Sequence, residues 1–231
     1  MNLGVYISTQ NEENLITLCI NSIKKVFPQV ELIDLGSEDS TVEKAEKTDI
    51  PINIIGQIHG EEYPHIKNYF SRNHDWMFWI DSDEIYPIES LLKIQKRLEN
   101  PTNSTINVHW RVLKIDKGEI FTTIDNENLC GNGKLYDTRA HFCRRAWPKE
   151  VLDCLLHFQA DHKREDCTKE LRGLNGIYCW HAVLLKRSQI EMTFRKKKRM
   201  SKIADYEVQY EWKKLPKFPW DEEIPELMKQ P

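Results

Sequence analysis

The chain has 231 residues and a formal net charge of −3 at pH 7, and 40% of its residues are hydrophobic and 30% charged. These values are typical of a soluble globular protein. They exclude a disordered chain and a polycation that binds nucleic acid through its overall charge.

The six cysteines are widely spaced and form no Cys-x-x-Cys pair, so a structural zinc site is not expected. No stretch contains the roughly 18 consecutive apolar residues that a membrane-spanning helix needs. The amino-terminal residues also lack the pattern of a signal peptide. We therefore expect a cytoplasmic protein with reduced cysteines.

The first hundred residues alternate between strand-like and helix-like patterns. Short β-rich runs occupy 3–9, 30–36, 52–58 and 75–80. Helical patterns occupy 15–27, 65–74 and 87–100, and another helix follows the second strand, with Ser37, Ser40 or Thr41 as its N-cap. This alternation predicts βαβ units, a parallel sheet and a ligand crevice at the carboxyl ends of its strands.

The rest of the chain is less regular. The pattern predicts strands over 105–115 and 119–124, a loop rich in Gly and Asn over 125–134, and a helix over 188–215. We therefore predict an α/β half over 1–100, a less regular half of the same domain over 101–215, and an extended carboxyl-terminal tail over 216–231.

Three carboxylates, Asp81, Asp83 and Glu84, follow the most apolar strand directly. They could form an exposed turn that caps the next helix. One carboxylate would suffice for that, however, and three repel one another at close range unless a cation neutralises them. An Asp-x-Asp pair suits magnesium or manganese, whose remaining ligands are usually water and phosphate oxygens. The pattern therefore favours a metal and a nucleotide diphosphate.

Four patches of sequence occur in an order that resembles glycosyltransferase family 2, and especially its lipopolysaccharide-core type members. They read ISTQNEEN, LIDLGSEDST, DWMFWIDSDE and CWHAVLLKR. The resemblance covers roughly residues 3 to 200. It implies a GT-A fold, which is a Rossmann-like α/β fold with a mixed, mainly parallel central sheet and an irregular acceptor half. It also implies inverting, metal-dependent transfer from a nucleotide sugar, with UDP as the expected nucleotide. On this resemblance, 1–100 would be the nucleotide-sugar-binding half and 101–215 the acceptor-binding and catalytic half of the same domain.

The resemblance also assigns roles to the residues at the strand ends. Asp34 would contact the base and ribose, although Leu35 stands where the family often has a second Asp. Asp83 would hold the metal, and Glu84 would orient its neighbours. The other donor-site residues implied are Thr9, Asn11 and Glu12 for uridine or ribose, and Asp81 for the ribose and donor sugar. Glu12 could equally cap the following helix.

The remaining implied roles fall after residue 149. His181 would be a second metal or diphosphate ligand, and Lys186 and Arg187 would bind the diphosphate. The general base would be Asp166, with Glu165 beside it; Asp153 and Glu150 are reserve candidates. A solvated helix explains the charges around Asp166 about as well, because they alternate in sign. A lone His is more often a satisfied core residue than a ligand.

Other functions remain open at this point. A nucleotidyltransferase also combines an α/β sheet with metal carboxylates, but the loop after the first strand lacks the Gly-rich phosphate motif. A non-enzymatic module could bind glycan or nucleic acid through the basic run at 195–200 and nearby aromatics such as Trp180 and Trp212. The acceptor itself could be a glycan, a lipid-linked glycan or a hydroxymethylated DNA base.

Overall fold

The computed structural model of the chain describes residues 3–56, 74, 76–99, 106–123, 142–148, 177–182, 185 and 211–221. The strands in these ranges are β1 (Leu3–Thr9), β2 (Glu31–Asp34), β3 (Ile52–Ile54), β4 (Trp76–Asp81), β5 (Glu84–Ile85), β6 (Ile106–Asp116), β7 (Glu119–Thr123), β8 (Phe142–Pro148), β9 (Tyr178–His181) and β10 (Trp212–Leu215). The helices are α1 (Ile16–Lys24), α2 (Thr41–Glu46) and α3 (Ile88–Glu99).

A parallel sheet forms the first half of the fold. Its strands follow the order β3-β2-β1-β4, and all of these neighbours are parallel. Parallel strands that are buried on both faces are near-continuously apolar, as β4 is. Because the strands share one direction, the carboxyl ends of β1, β2 and β4 lie at one edge of the sheet. The predicted βαβ alternation is thus present over residues 3–56, and β4 and α3 follow it over 76–99.

An antiparallel region extends the sheet beyond β4. Strand β8 pairs with β4, β6 pairs with β8, β7 with β6, and β10 with β7. Strand β9 runs parallel to β6 and antiparallel to the short strand β5. Through β9, the second half of the chain therefore reaches the segment that follows β4.

The helices α1 and α3 pack against one face of the parallel sheet. Every third or fourth residue of α1 is apolar and buried, as the helical period requires, and α3 contributes Leu91, Ile94 and Leu98 to the same core. Phe78 is fully buried at the centre of this core, and Phe27 and Tyr86 pack edge-on against its ring. This packing holds β4 in a rigid setting.

The carboxyl-terminal part of the chain differs from the prediction. The helix predicted over 188–215 is wrong at its end, since Trp212–Leu215 form β10. Pairing with the edge of β7 and the packing of Lys114 Nζ over the Trp212 ring, 4.4 Å from its centroid, override helical propensity there. Strand β8 was not predicted at all.

The segment after β10 was predicted to be an extended tail. Residues 216–221 form neither helix nor strand, but Phe218 is buried and stacks on Trp220 at 4.7 Å. Phe218 belongs to a second core cluster that includes Leu15, Ile85 and Leu113. This segment is therefore part of the fold.

Two further predictions concern helices. The helix predicted over 65–74 lies outside the described residues except for His74. Within the described part of the chain, no helix combines the length and the apolar character that crossing a membrane requires.

Candidate functional site at the carboxyl edge of the sheet

Three of the predicted site residues lie at the carboxyl ends of neighbouring parallel strands. Thr9 ends β1 and is the register partner of Asp34, which ends β2. Ser8 of β1 is in turn the partner of Asp81, which ends β4. The Leu35 N–H donates to the Thr9 carbonyl, so β1 and β2 stay paired to the last residue. The sheet thus brings Thr9, Asp34 and Asp81 to one edge, as the pattern predicts.

The loop after β1 is hydrogen-bonded to the loop after β2. Asn11, whose φ of 55° lies in the left-handed region, donates its N–H to Ser37 Oγ at 2.9 Å. Its Oδ1 accepts the N–H of Glu38 at 2.7 Å. Next to it, the Glu12 N–H donates to Thr41 Oγ1 at 2.7 Å, and Thr41 also bonds Asp39. These bonds hold Asn11 and Glu12 in place beside Thr9.

This arrangement changes the interpretation of two predicted helix caps. Ser40 occupies the N-cap position of α2 but makes no side-chain capping bond. The hydroxyls of Ser37 and Thr41 are used between the two loops instead. Sequence analysis assigned both residues to capping because Ser and Thr are common N-caps, and it missed their role at the site.

Asp34 is almost fully buried, and its carboxylate accepts hydrogen bonds from its own loop. Oδ2 accepts the N–H groups of Gly36 and Ser37, both at 3.0 Å. Oδ1 accepts the Ser37 hydroxyl at 2.5 Å and shares the Ser37 N–H at 3.3 Å. A carboxylate has about four acceptor positions, so at most one remains, at Oδ1. Asp34 therefore stabilises its loop and keeps room for one further donor.

Thr9 and Glu12 are both buried, each with a residue exposure of 2%. The Thr9 hydroxyl has no hydrogen-bond partner among the described residues. Leaving a buried hydroxyl unpaired is unfavourable by about 1–3 kcal/mol, so such a group usually meets a partner when the site is filled. Thr9 Oγ1 is thus a candidate ligand contact.

The turn between β4 and β5 carries the three carboxylates. Ser8 Oγ donates to Asp81 Oδ1 at 3.3 Å, and the Ser82 N–H donates to the Ser8 carbonyl at 3.1 Å. Glu84 is fully buried, and its Oε2 accepts the Asp81 N–H at 3.3 Å and the Tyr86 hydroxyl at 3.1 Å. Asp81 is half-buried at the surface of the turn. These bonds fold the turn back onto the end of β4.

Asp83 and His181 form a buried pair. His181 Nε2 lies 3.4 Å from Asp83 Oδ2, and both side chains are about 5% exposed. Backbone pairing explains why they meet, because β5 places Glu84 opposite His181 and the Ala182 N–H donates to the Asp83 carbonyl at 2.8 Å. Across the described ranges no third His, Cys, Asp or Glu joins them in a possible metal-binding group. Within the described ranges, this pair thus offers a metal one carboxylate group and one imidazole group.

A comparison with protein families matches residues 4–191 to Glycosyl transferase family 2. The chain belongs to this family. The predicted family is thereby confirmed, and so is the predicted α/β fold of the GT-A type, with a parallel half and a mixed sheet. Of the two enzyme classes considered above, the family matched is one of glycosyl transferases.

Curated relatives match only part of the chain. Glycosyltransferase SunS of Bacillus phage SPbeta, and its prophage-derived counterpart in Bacillus subtilis (strain 168), are 30% identical over 92 residues. This segment is 39% of the present chain and 22% of each relative. The match thus spans about a fifth of the relatives' length.

Solved structures show a general likeness. TarS of S. aureus is 16% identical with a TM-score of 0.47, and the match covers 67% of this chain and 29% of that one. Glucosyl-3-phosphoglycerate synthase of Mycobacterium tuberculosis, in complex with Mn²⁺, UDP and phosphoglyceric acid, is 17% identical with a TM-score of 0.44. That match covers 65% of this chain and 57% of the synthase. The assignment above rests on the family match and the observed topology.

Several predicted site residues lie outside the described residues. They are Asp166, Glu165, Asp153, Glu150, Lys186 and Arg187, together with the basic run at 195–200. Their assignments stay predictions.

Two aromatic residues considered for a binding module are described. Trp180 is 8% exposed in the second core cluster, where Tyr178 packs edge-on against it at 5.4 Å, so it offers little free surface for stacking on sugars or bases. Trp212 is half-buried, and Lys114 Nζ lies over one face of its ring.

Proposed function

We propose that this chain is a metal-dependent, inverting glycosyltransferase that moves a sugar from a UDP-sugar to an acceptor hydroxyl on a glycan or another biopolymer. One observation carries the proposal. The buried pair of Asp83 and His181 lies beside the strand end that carries Asp81, at the carboxyl edge where α/β sheets bind ligands. An Asp–His pair with a purely structural role does not require Asp81 or the strand ends beside it. A donor site requires the pair, Asp81 and the strand ends together.

The nucleotide would lie over the ends of β1 and β2. Asp34 has an acceptor position left at Oδ1, which suits a single donor such as a base N–H or a ribose hydroxyl. The Thr9 hydroxyl would gain a partner from the nucleotide. Asn11 and Glu12 lie beside Thr9 on a loop that is held by the loop after β2, so little ordering is needed on binding.

The metal would be held by Asp83 and His181, with Asp81 directed to the ribose and donor sugar. Two ligands at about 2.1 Å from one octahedral ion, at right angles, are about 3 Å apart, so a separation of 3.4 Å needs only a small adjustment. An imidazole nitrogen suits a transition metal better than magnesium, which favours manganese. A bound divalent ion stabilises the negative charge that develops on the leaving diphosphate.

The remaining roles rest on the family resemblance. Asp166, or Glu165 beside it, would take the proton from the acceptor hydroxyl as that oxygen attacks the anomeric carbon. Attack opposite the leaving diphosphate inverts the configuration at that carbon. Lys186 and Arg187 would pair with the diphosphate oxygens, because ammonium and guanidinium groups bind phosphate through charge-assisted hydrogen bonds.

The experiment that tests the proposal is a titration with UDP, in the presence and absence of Mn²⁺, followed by mass spectrometry with a panel of sugar nucleotides. We expect UDP to bind more tightly with Mn²⁺ and at least one donor to be hydrolysed. Asp83→Ala should remove the Mn²⁺ effect, while Asp116→Ala, on an exposed β-turn residue, should preserve it. Equal activity with EDTA, or no hydrolysis of any donor, would contradict the proposal.

A further inference from the structure

We propose that Tyr86 is a positioning residue for the metal site, acting through Glu84 on the turn that carries Asp81 and Asp83. The proposal concerns a side chain that neither the family resemblance nor the motif at 81–84 singles out. Its functional part rests on the metal-dependent activity proposed above. Its structural part, that Tyr86 holds the turn, is independent of that activity.

Tyr86 and the Asp81 backbone bind the same carboxylate oxygen. Tyr86 Oη donates to Glu84 Oε2 at 3.1 Å, and the Asp81 N–H donates to the same atom at 3.3 Å. Glu84 is fully buried, so its carboxylate depends on such donors in place of water. Removing the Tyr86 hydroxyl leaves Glu84 with one donor fewer and weakens its hold on Asp81.

The position of the Tyr86 hydroxyl is set by the core and by α1. Its ring packs edge-on against Phe78, with centroids 5.4 Å apart and planes at 89°. Its N–H donates to Ser22 Oγ at 3.2 Å, and Ser22 Oγ donates to the Cys19 carbonyl at 2.8 Å. Tyr86 is itself 2% exposed. The ring therefore has little freedom, and the hydroxyl is presented to Glu84 at a fixed place.

The effect reaches Asp83 and His181 because Glu84 follows Asp83 in the chain and is the strand-pairing partner of His181. The Glu84 backbone pairs with His181, and the preceding Asp83 carbonyl accepts the Ala182 N–H at 2.8 Å. The Glu84 side chain ties this point to the Asp81 amide. If that tie loosens, Asp81 and Asp83 shift relative to β9, and the two metal ligands no longer keep their spacing. Residues that orient metal ligands typically contribute about ten- to a hundredfold to metal affinity.

The test compares Tyr86→Phe with Tyr178→Phe, which serves as a matched control. Tyr178 Oη also donates to a glutamate, Glu89 Oε1 at 2.8 Å, but this bond is exposed. We expect Tyr86→Phe to weaken Mn²⁺ binding in the presence of UDP by about tenfold and to leave metal-free UDP binding unchanged. Tyr178→Phe should match the wild type in both. Wild-type Mn²⁺ affinity in Tyr86→Phe would overturn the inference.

A double-mutant cycle separates positioning from general destabilisation. If Tyr86 acts through the Glu84 carboxylate, adding Tyr86→Phe to Glu84→Met, which has no oxygen to accept the Tyr86 hydroxyl, should change Mn²⁺ affinity by less than about twofold, because the interaction is already lost. A full tenfold effect in that background would mean that Tyr86 acts by another route. Should Tyr86→Phe fail to fold, Ser22→Ala tests the placement of Tyr86 with its hydroxyl retained, since it removes the acceptor of the Tyr86 N–H together with the bond to the Cys19 carbonyl, and it should weaken Mn²⁺ binding in the same direction.

Amide hydrogen exchange in the metal-free protein tests the structural part alone. The Asp81 amide should exchange about tenfold faster in Tyr86→Phe than in Tyr178→Phe, while amides of α3 stay unchanged. Equal exchange at Asp81 would overturn the inference whatever the protein binds. If the wild type binds neither Mn²⁺ nor UDP but the exchange difference is present, the proposed function fails and the role of Tyr86 in holding the turn stands.

Discussion

His181 Nε2 lies 3.4 Å from Asp83 Oδ2, although one residue ends β9 and the other lies in the turn after β4. Pairing of Glu84 with His181 across β5 and β9 makes this contact, and the turn that holds Asp83 keeps the carboxylate next to the imidazole. The pair is buried away from water, so its hydrogen bonds must be made, and its charge neutralised, within the protein or by a bound cation.

The first prediction concerns this pair. Asp83→Asn and His181→Gln should each lower metal-dependent turnover by at least about a hundredfold, since each removes a ligand from one shared ion. The turnover of the double variant should be no lower than that of the less active single variant, because the second ligand has no metal left to hold. Steady-state assays with varied Mn²⁺ measure this. Additive losses would indicate that the two residues act separately.

The second prediction concerns the Thr9 hydroxyl. Thr9→Val preserves shape and removes a buried hydroxyl that has no partner among the described residues, so the free energy of unfolding should stay within about 0.5 kcal/mol or rise. UDP affinity should fall about three- to tenfold, as expected for one lost hydrogen bond. Urea denaturation and calorimetric titration measure the two quantities.

Thr41→Val is the matched control for Thr9. Thr41 Oγ1 accepts the Glu12 N–H and bonds Asp39, so its removal should lower the free energy of unfolding by about 1–3 kcal/mol. If Thr9→Val behaves in the same way as Thr41→Val, the Thr9 hydroxyl is structural and the ligand contact is wrong.

The third prediction concerns the carboxyl-terminal segment. Phe218 is buried against Trp220, so Phe218→Ala should reduce the free energy of unfolding by about 3–5 kcal/mol, through lost burial and the cavity that remains. Lys217→Ala, at the exposed neighbouring position, should change it by less than about 0.5 kcal/mol. Denaturant titration distinguishes the two. A loss below about 1 kcal/mol for Phe218→Ala would mean that the segment does not stabilise the domain.

The fourth prediction concerns the general base. Asp166→Asn should lower kcat by about 10²–10⁴ and leave UDP and Mn²⁺ affinity unchanged, because a base acts in the transition state rather than in donor binding. Glu165→Gln is the neighbouring control and should have a much smaller effect. Single-turnover transfer assays measure the step. If only Glu165→Gln lowers kcat strongly, Glu165 rather than Asp166 is the general base. If neither substitution lowers it, Asp153 and Glu150 are the next candidates.

Sequence patterns predicted the parallel half of the fold well. The elements around β1, α1, β2, β4 and α3 appear within a few residues of their predicted bounds. Each of them combines a strong hydrophobic period with a clear turn or cap at its ends, and such local signals survive packing. The strand ends were therefore predictable, and with them the edge where Thr9, Asp34 and Asp81 lie.

Patterns were less informative in the antiparallel half. Strand β10 has helical propensity and forms a strand because β7 offers an edge. The residues of β8 show no hydrophobic period that distinguishes them from the neighbouring sequence. Elements of this kind depend on pairing with distant segments, and a local window contains none of that information.

The sequence by itself determined the α/β class and the residue types that can bind a metal and a nucleotide diphosphate, because these follow from local periodicity and from the chemistry of the side chains. The family followed from a resemblance of four sequence patches. Only the tertiary structure decided which side chains meet. It places His181 beside Asp83, commits most of the Asp34 carboxylate to its own loop, and connects Tyr86 to Asp81 through Glu84. The contact of His181 with Asp83 joins segments far apart in the chain, so strand pairing brings it about. The bonds of Asp34 and Glu84 are local in sequence, but the burial of both carboxylates, which core packing decides, leads them to these donors.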